Sequence, residues 1–204
     1  MSFDNYAKNW DTDTRINRAK TIANEISTTI DCNKNNTAME FGCGTGLVSF
    51  NLIDRFKSIT LIDSSKGMID ILNDKIAKYN INNMSTYQLD ITTKAKIDST
   101  YDVIYNSMVL HHIMNTEDII KQFYELLNDK GELCIVDLNE EDGKFHKKYP
   151  EFDGHNGFSQ AELKEILMSV GFKDIETRTF FHGEKIIEGE KIDYSLFIIK
   201  ARKY

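Results

Sequence analysis

The run Glu40-Phe41-Gly42-Cys43-Gly44-Thr45-Gly46 sets three glycines at alternate positions directly after a short apolar stretch. Glycine permits tight turns and lets backbone approach a ligand closely, and a helical start over Leu47 to Ile53 would present unpaired N–H groups. A ligand with acceptor groups is expected there. Two carboxylates follow: Asp63 in Leu61-Ile62-Asp63-Ser64, and Asp90 in Gln88-Leu89-Asp90-Ile91. At the ends of adjacent strands, the first can accept hydrogen bonds from both hydroxyls of a ribose. Asp90 can accept from an exocyclic amine while the Ile91 N–H donates to a ring nitrogen, which together would read adenine. The dinucleotide pattern G-x-G-x-x-G needs a glycine at position 47, which is Leu47, so the early third glycine counts against NAD. Taken alone, the glycine run is a tight strand-to-helix connection.

A fourth segment, Tyr101 to Ile113, opens from an apolar run into a polar turn at Asn106, followed by His111 and His112. Histidine titrates near neutral pH, which makes His111 a candidate general base; its competing role is to satisfy backbone groups where strand meets helix. For His112 the structural role leads. In the loop at 139–158, His146 and His155 could face a substrate, His155 favoured because Gly154 and Gly157 flank it. Asp137 sits at the end of a further apolar run, with two roles open: assisting the chemistry or anchoring a loop.

Short apolar runs alternate with amphipathic stretches along the chain, the pattern of a parallel sheet covered by helices. Strands are expected at about 37–41, 58–62, 85–89, 101–106 and 132–138, with ends uncertain by roughly 2–4 residues. Ile16, Ala19, Ala23, Ile26 and Ile30 recur at helical spacing and predict a helix over residues 13–31. Met68 to Tyr79 mark a second helix and Ile119 to Leu127 a third, which Gly131 should stop. Ser159 and Glu162 form a capping box for a fourth, with Gly171 where a left-handed cap belongs. Two β-like stretches, 172–181 and 192–200, are joined by a polar segment containing Gly183 and Gly189; so short a link favours an antiparallel hairpin. Residues 139–158 form a long polar loop with interspersed aromatics, the kind often used as a lid.

The 204 residues suit one domain, with 41% hydrophobic and 28% charged residues and no apolar run of membrane-spanning length. No secretory signal is evident at Met1 to Tyr6, so a cytoplasmic location is expected. Cys32, Cys43 and Cys134 make neither an even framework nor a C-x-x-C pair, so no metal is expected. A net charge of −7 opposes nonspecific attraction to nucleic acid or anionic membranes and mildly favours a cationic ligand.

The glycine run, Leu61-Ile62-Asp63, Leu89-Asp90, Asn106 to Ile113 and Leu127 to Leu133 resemble, in order and spacing, the motifs of class I S-adenosylmethionine-dependent methyltransferases. The likeness lies nearest the small-molecule branch, partly through Tyr6 and Trp10 and through Asp142 to His146. It implies a Rossmann-like, doubly wound α/β fold: a seven-stranded sheet, last strand antiparallel, helices on both faces. It further implies one domain over 1–204, with an N-terminal helical cap at 1–32 and a substrate-side loop at 139–158. By position, the cofactor residues it implies are Glu40, Gly42, Cys43, Gly44, Asp63, Ser64, Met68, Asp90, Ile91 and Asn106, with Cys43 acting through its backbone. Tyr6 and Trp10 would close over cofactor or acceptor, or else anchor the N-terminal segment. The cofactor would be S-adenosylmethionine, leaving as S-adenosylhomocysteine, and the partner a small-molecule acceptor, in a monomer or homodimer. His111, His155 and Asp137 are the catalytic candidates. Two other readings stand beside this one: a noncatalytic cofactor-binding regulatory module and an NAD-dependent reductase. The stretch Thr92 to Thr100 is too short and polar for the helix that the family carries there.

Overall fold

In the computed structural model, residues 3–31, 33–90, 92, 97–149 and 151–204 are described. Seven strands make one sheet: β1 Thr37–Phe41, β2 Ser58–Asp63, β3 Met84–Gln88, β4 Tyr101–Ser107, β5 Leu127–Leu138, β6 Lys173–Ile187 and β7 Glu190–Arg202. Their order is β3-β2-β1-β4-β5-β7-β6. The first five are mutually parallel, whereas β7 runs antiparallel to both β5 and β6. Chain order reverses between β1 and β4, so a crevice opens beyond their carboxyl ends, where ligands bind in open α/β sheets.

Four α-helices cover the sheet: α1 Asp13–Thr29, α2 Lys66–Lys78, α3 Thr116–Leu126 and α4 Gln160–Val170. One buried cluster joins Ile22 and Ile26 of α1 and Leu72 of α2 to Val103, Tyr105, Cys134 and Val136 of the sheet. The other joins Ile120 and Phe123 of α3 and Leu163 and Leu167 of α4 to Ile104, Leu133 and Ile135. The strand residues alternate between the clusters, as period-two side-chain geometry requires when both faces are packed. Both layers are therefore dry, and the expected doubly wound architecture is realised.

Helix starts follow local chemistry. Ser65 Oγ accepts from Met68 N at 3.2 Å, Asn115 Oδ1 from Asp118 N at 3.2 Å and Ser159 Oγ from Glu162 N at 3.4 Å, each satisfying an N–H that the helix leaves unpaired. Gly171 ends α4 at φ +118°, as its position after the periodic residues predicts.

Three details depart from the sequence expectations. The segment after the glycine run is not an α-helix but two 3₁₀ turns, Ser49–Asn51 and Ile53–Arg55. Asn51 Nδ2 takes the Leu47 carbonyl at 2.8 Å, the one an α-helix would give to Asn51 N, and Asn51 N turns to Val48 O instead. Gly131 does not stop α3, which ends at Leu126 with Leu127 already extended. It lies in a bulge of β5 pinned by Asn128 Nδ2 on Asp102 Oδ1, where a Cβ would stand 2.9 Å from the Asn128 carbonyl. The hairpin strands run longer than expected, leaving only Glu188 (φ +52°) and Gly189 (φ +82°) for the turn, the left-handed pair of a tight two-residue hairpin. Gly183 is inside β6, where a Cβ would meet the Phe181 and Tyr194 rings at 2.5 and 2.7 Å.

Phe123 of α3 is fully buried in the cluster that α3 and α4 form with the sheet and packs edge-on against Phe41. Phe123→Ala should cost roughly 3–5 kcal/mol of stability in urea titration; a loss under about 1 kcal/mol would show that this layer can collapse around the gap.

Candidate functional site

The crevice begins where β1 runs out. Gly42, Gly44 and Gly46 have φ of +69°, +53° and +80°, a left-handed path that favours glycine. The N–H groups of Gly42 and Cys43 both donate to Ile62 O, at 2.8 and 3.0 Å, which folds the loop over β2. A Cβ on Gly42 would lie 2.3 Å from Val109 Cγ2, and one on Gly46 2.6 Å from Leu72 Cδ1. Gly44 is different: a Cβ there would meet only Trp10 Nε1, at an ordinary contact distance of 3.7 Å, so its φ rather than crowding calls for glycine.

Asp63 ties the loop to the next element. One carboxylate oxygen accepts from Gly44 N at 2.8 Å and the other from Ser65 N at 2.9 Å, leaving each with a free lone pair. Burial pushes its carboxyl above the usual range, against the pull of those N–H groups. Glu40 is wholly buried at the end of β1, its carboxylate bonded to Ser49 Oγ, which in turn meets Tyr105 OH at 2.5 Å. Burial first, opposed by the Ser49 bond, and then the Asp63 charge raise Glu40 to about 8. The same burial, with Glu40 and Asp63 beside it, pushes the Cys43 thiol up, so the sulfur is not a nucleophile near neutral pH.

The N-terminal segment closes one side. Residues 3–9 form a 3₁₀ stretch whose Asp4 Oδ1 accepts from Ser65 Oγ and Gly67 N, each at 2.7 Å, at the start of α2. Those bonds hold the exposed Asp4 carboxyl below its usual range, that of Gly67 foremost. Asp11 pairs with Lys75 and with Thr45 Oγ1, while Lys75 Nζ donates to Thr45 O at 2.8 Å. Trp10 is thereby brought over the loop, with the Arg15 guanidinium 4.1 Å above its ring.

The resulting cleft measures about 710 Å³, within the range of small-molecule sites. Trp10, Glu40, Gly42, Cys43, Gly44, Asp63, Ser64, Met68 and Asp90, nine positions expected from sequence, all line it. Tyr6 is not among the lining residues; it is 42% exposed and meets Tyr149 edge-on. Ile91 lies outside the described residues. Asn106 is fully buried beside Phe41 and Ile135, with neither amide atom hydrogen-bonded, and Ser107 and Met108 supply the wall expected of it. The strand simply runs one residue further before its side chains reach the cleft.

The catalytic candidates fall elsewhere. His111 Nδ1 is 2.5 Å from Asp137 Oδ1 and its backbone N–H donates to Asp137 Oδ2, both residues being buried behind the cleft rather than in its wall. His112 is the histidine that lines it. His155 clamps the long loop: its N–H donates to His111 O at 2.7 Å and its Nε2 lies 3.0 Å from Ile113 O. It borders a separate pocket with Glu162 and Ile166. The neighbouring glycines serve packing rather than hinge motion, since a Cβ on Gly154 would lie 2.1 Å from His111 O and one on Gly157 2.2 Å from Asn139 O. The loop's base is laddered through Glu140 N on Phe158 O and Phe158 N on Leu138 O. From its interior, Phe152 and Asp153 reach the cleft.

Two groups escaped the sequence reading. Arg15 and Arg18, on the polar stripe of α1, line the cleft; burial first, then Arg18, holds the Arg15 guanidinium below its ordinary value. Lys185 of β6 lies close enough that both arginines help burial bring it down to about 8. Helical periodicity marks such positions as solvent-facing, and only the placement of α1 beside the cleft turns them inward. The second group is His111, His112 and His146, whose ring nitrogens gather within 4.8 Å.

A seven-stranded sheet of this order, with a glycine loop and the carboxylates of Asp63 and Asp90 on one crevice, defines a Rossmann-like methyltransferase fold. The methyltransferase-domain family model matches residues 14–177. The chain belongs to that family, the class I S-adenosylmethionine-dependent methyltransferases. It is 28% identical over 152 residues to an uncharacterized methyltransferase of Schizosaccharomyces pombe, covering 68% of this chain and 54% of that protein. It is 27% identical over 183 residues to a malonyl-[acyl-carrier protein] O-methyltransferase of Priestia megaterium, covering 80% and 64%. The chain thus spans less than two thirds of either relative. In fold it is similar to phosphoethanolamine N-methyltransferase 2 of Haemonchus contortus in complex with S-adenosyl-L-methionine: TM-score 0.74, 14% identity, 100% of this chain and 60% of that one. Among the described residues no helix is long and apolar enough to cross a membrane.

Glu40 yields a pH test on the cofactor-free protein. Between its ordinary value of 4.5 and about 8, the unfolded chain ionises this carboxyl while the folded one keeps it protonated. Its contribution to stability therefore falls by about 1.4 kcal/mol per pH unit across that window and levels above it. Glu40→Gln, which mimics the protonated acid, should gain on the wild type in urea unfolding between about pH 5 and about pH 8. A constant gap would mean that the buried carboxyl is already ionised.

Proposed function

We propose that this protein transfers a methyl group from S-adenosylmethionine to a small-molecule acceptor carrying an anionic group. The single observation that carries the reading is the convergence of Glu40, the Gly42–Gly44 backbone, Asp63 and Asp90 on one cleft, with Arg15 and Arg18 on its wall. The cofactor fits the groups present: Gly44 lines the cleft under Trp10, and Asp63 keeps one lone pair on each oxygen for a ribose diol. Asp90, already turned by its bonds to Thr92, offers its carboxylate to an exocyclic amine. Bound, S-adenosylmethionine supplies an electrophilic methyl on sulfonium, which passes to an acceptor lone pair while the S–C bonding electrons return to sulfur.

The chain's part is alignment and exclusion of water, which can lower such a barrier by several kcal/mol without a covalent enzyme intermediate. Met68, Leu89 and Val109 give the cleft apolar walls. Glu40 holds its proton in the free protein and can release it when a cationic ammonium group settles beside it. His112, brought down to about 3 by burial and then by His111, is a neutral imidazole against the acceptor side. His111 and Asp137 position it from behind, and His155 fixes the loop that carries Phe152 and Asp153.

The anionic acceptor reverses what overall charge suggested. The net charge of −7 favours cations at long range, and acidic residues also line the cleft, yet Arg15 and Arg18 put positive charge on one wall of it, with Lys185 near them, where an anionic group would be held. The name of one relative agrees in kind, since malonyl carries a carboxylate. The same reading takes the chain as one catalytic domain in the cytoplasm, a monomer or homodimer, acting on neither nucleic acid nor membrane.

Incubation with labelled S-adenosylmethionine and a panel of carboxylates and phosphate monoesters should transfer label, and Arg18→Ala should raise KM at least tenfold with kcat and S-adenosylhomocysteine affinity little changed. Label moving only to neutral or cationic acceptors would remove the arginines from the assignment. In calorimetry, Asp63→Ala should weaken S-adenosylhomocysteine by roughly 10–100-fold, the worth of charge-assisted hydrogen bonds; unchanged affinity would undo the ribose role.

A further inference from the structure

His111 and His112 sit in the 3₁₀ turn after β4, and His146 in the loop after β5. Remote in sequence, each brings one ring nitrogen within 4.8 Å of the other two. The surroundings are arranged as histidine ligands require. Asp137 engages His111 Nδ1 at 2.5 Å, leaving Nε2 as the remaining nitrogen, and a carboxylate on the far nitrogen is the usual outer partner of a ligating imidazole. His146 is 6% exposed and lies flat on Phe152, ring centroids 3.7 Å apart, which fixes its plane. Its buried Nδ1 has no hydrogen-bond partner, an arrangement that costs free energy unless something else binds there.

We propose that His111, His112 and His146 form a three-histidine site for a divalent transition-metal ion of the zinc class, at the wall of the cleft. Nitrogen-only ligation selects such ions over magnesium or calcium, which prefer oxygen. Tetrahedral zinc with bonds of about 2.0–2.1 Å sets nitrogens about 3.3–3.4 Å apart, so binding would draw the rings inward. His111 is held by Asp137 and its own backbone bond, which leaves His146, on its loop, to make most of the movement. His112 belongs to both cluster and cleft, so a fourth coordination position would be open to an oxygen or nitrogen of a ligand there.

The test is independent of methyl transfer. Untagged protein, stripped with chelator, is titrated with Co²⁺ and followed by visible d–d absorption, then by Zn²⁺ competition and metal analysis. Wild type and His182→Gln should take one ion per chain with tetrahedral bands and a raised melting temperature. His146→Gln and His112→Gln should bind at least tenfold more weakly while melting like the wild type without metal, and Asp137→Asn should weaken binding about 10–100-fold. Should one variant fail to fold, the other and the wild-type stoichiometry still decide. Absence of Co²⁺ and Zn²⁺ binding by the wild type, or undiminished binding by His146→Gln and His112→Gln, would overturn the site.

Discussion

Everything in the cleft depends on how closely the chain folds back at the end of β1. Gly42 can lie against Val109 only because it has no side chain, and its N–H shares the Ile62 carbonyl with that of Cys43. That contact brings Gly44 N to the Asp63 carboxylate, which reaches on to Ser65 N and so to the cap of α2. One carboxylate thus joins the glycine loop, β2 and the next helix. The site is held by backbone hydrogen bonds, whose geometry the sheet fixes, more than by flexible side chains.

A second layer of polar contacts adds what the central motif lacks. Asp4 on Gly67 and Ser65, and Asp11 on Thr45 and Lys75, fasten the N-terminal segment across the loop and set Trp10 in the wall. The same segment leads into α1, which delivers Arg15 and Arg18 to the cleft. The cofactor side is therefore acidic, with Glu40, Asp63 and Asp90, whereas α1 brings two arginines to a lining that also holds Asp118 and Asp153. Such a division suits a cationic donor met by an anionic acceptor, because each charge finds its complement in a site of reduced dielectric.

The long loop after β5 is less a lid than a clamped arch. Glycines 154 and 157 are required by close approach to His111 O and Asn139 O, and His155 holds the arch to the turn after β4. Through it His146, stacked on Phe152, meets His111 at a tilt and His112 edge-on. The cysteine spacing spoke against a metal, and that argument concerned ligands close in sequence. The histidines meet only because β4 and β5 are neighbours, so the turn after one and the loop after the other share an edge.

Sequence by itself determined the elements whose signal is local. Glycine spacing, strand-end carboxylates, capping serines and side-chain periodicity placed the five parallel strands, the four helices, the glycine loop, Asp63 and Asp90, because each depends on backbone preference or on neighbours a few positions away, while the resemblance to the family supplied Trp10, Ser64 and Met68. It misjudged Leu47 to Ile53, where one asparagine side chain diverted a helical carbonyl, and Gly131, whose reason lies across the strand at Asp102. Asn106, His111 and Asp137 were candidates for the cleft because their elements end at the right edge, and Tyr6 through the resemblance, with a structural role open for Tyr6, His111 and Asp137. Which side of an edge a side chain takes is a matter of packing, and packing put them behind the wall or outside it. Only the tertiary structure could turn Arg15 and Arg18 inward and gather three histidines. A charged residue on a polar helix face reads as solvated until another element covers it, and groups far apart in sequence acquire a common chemistry only through the fold that joins them.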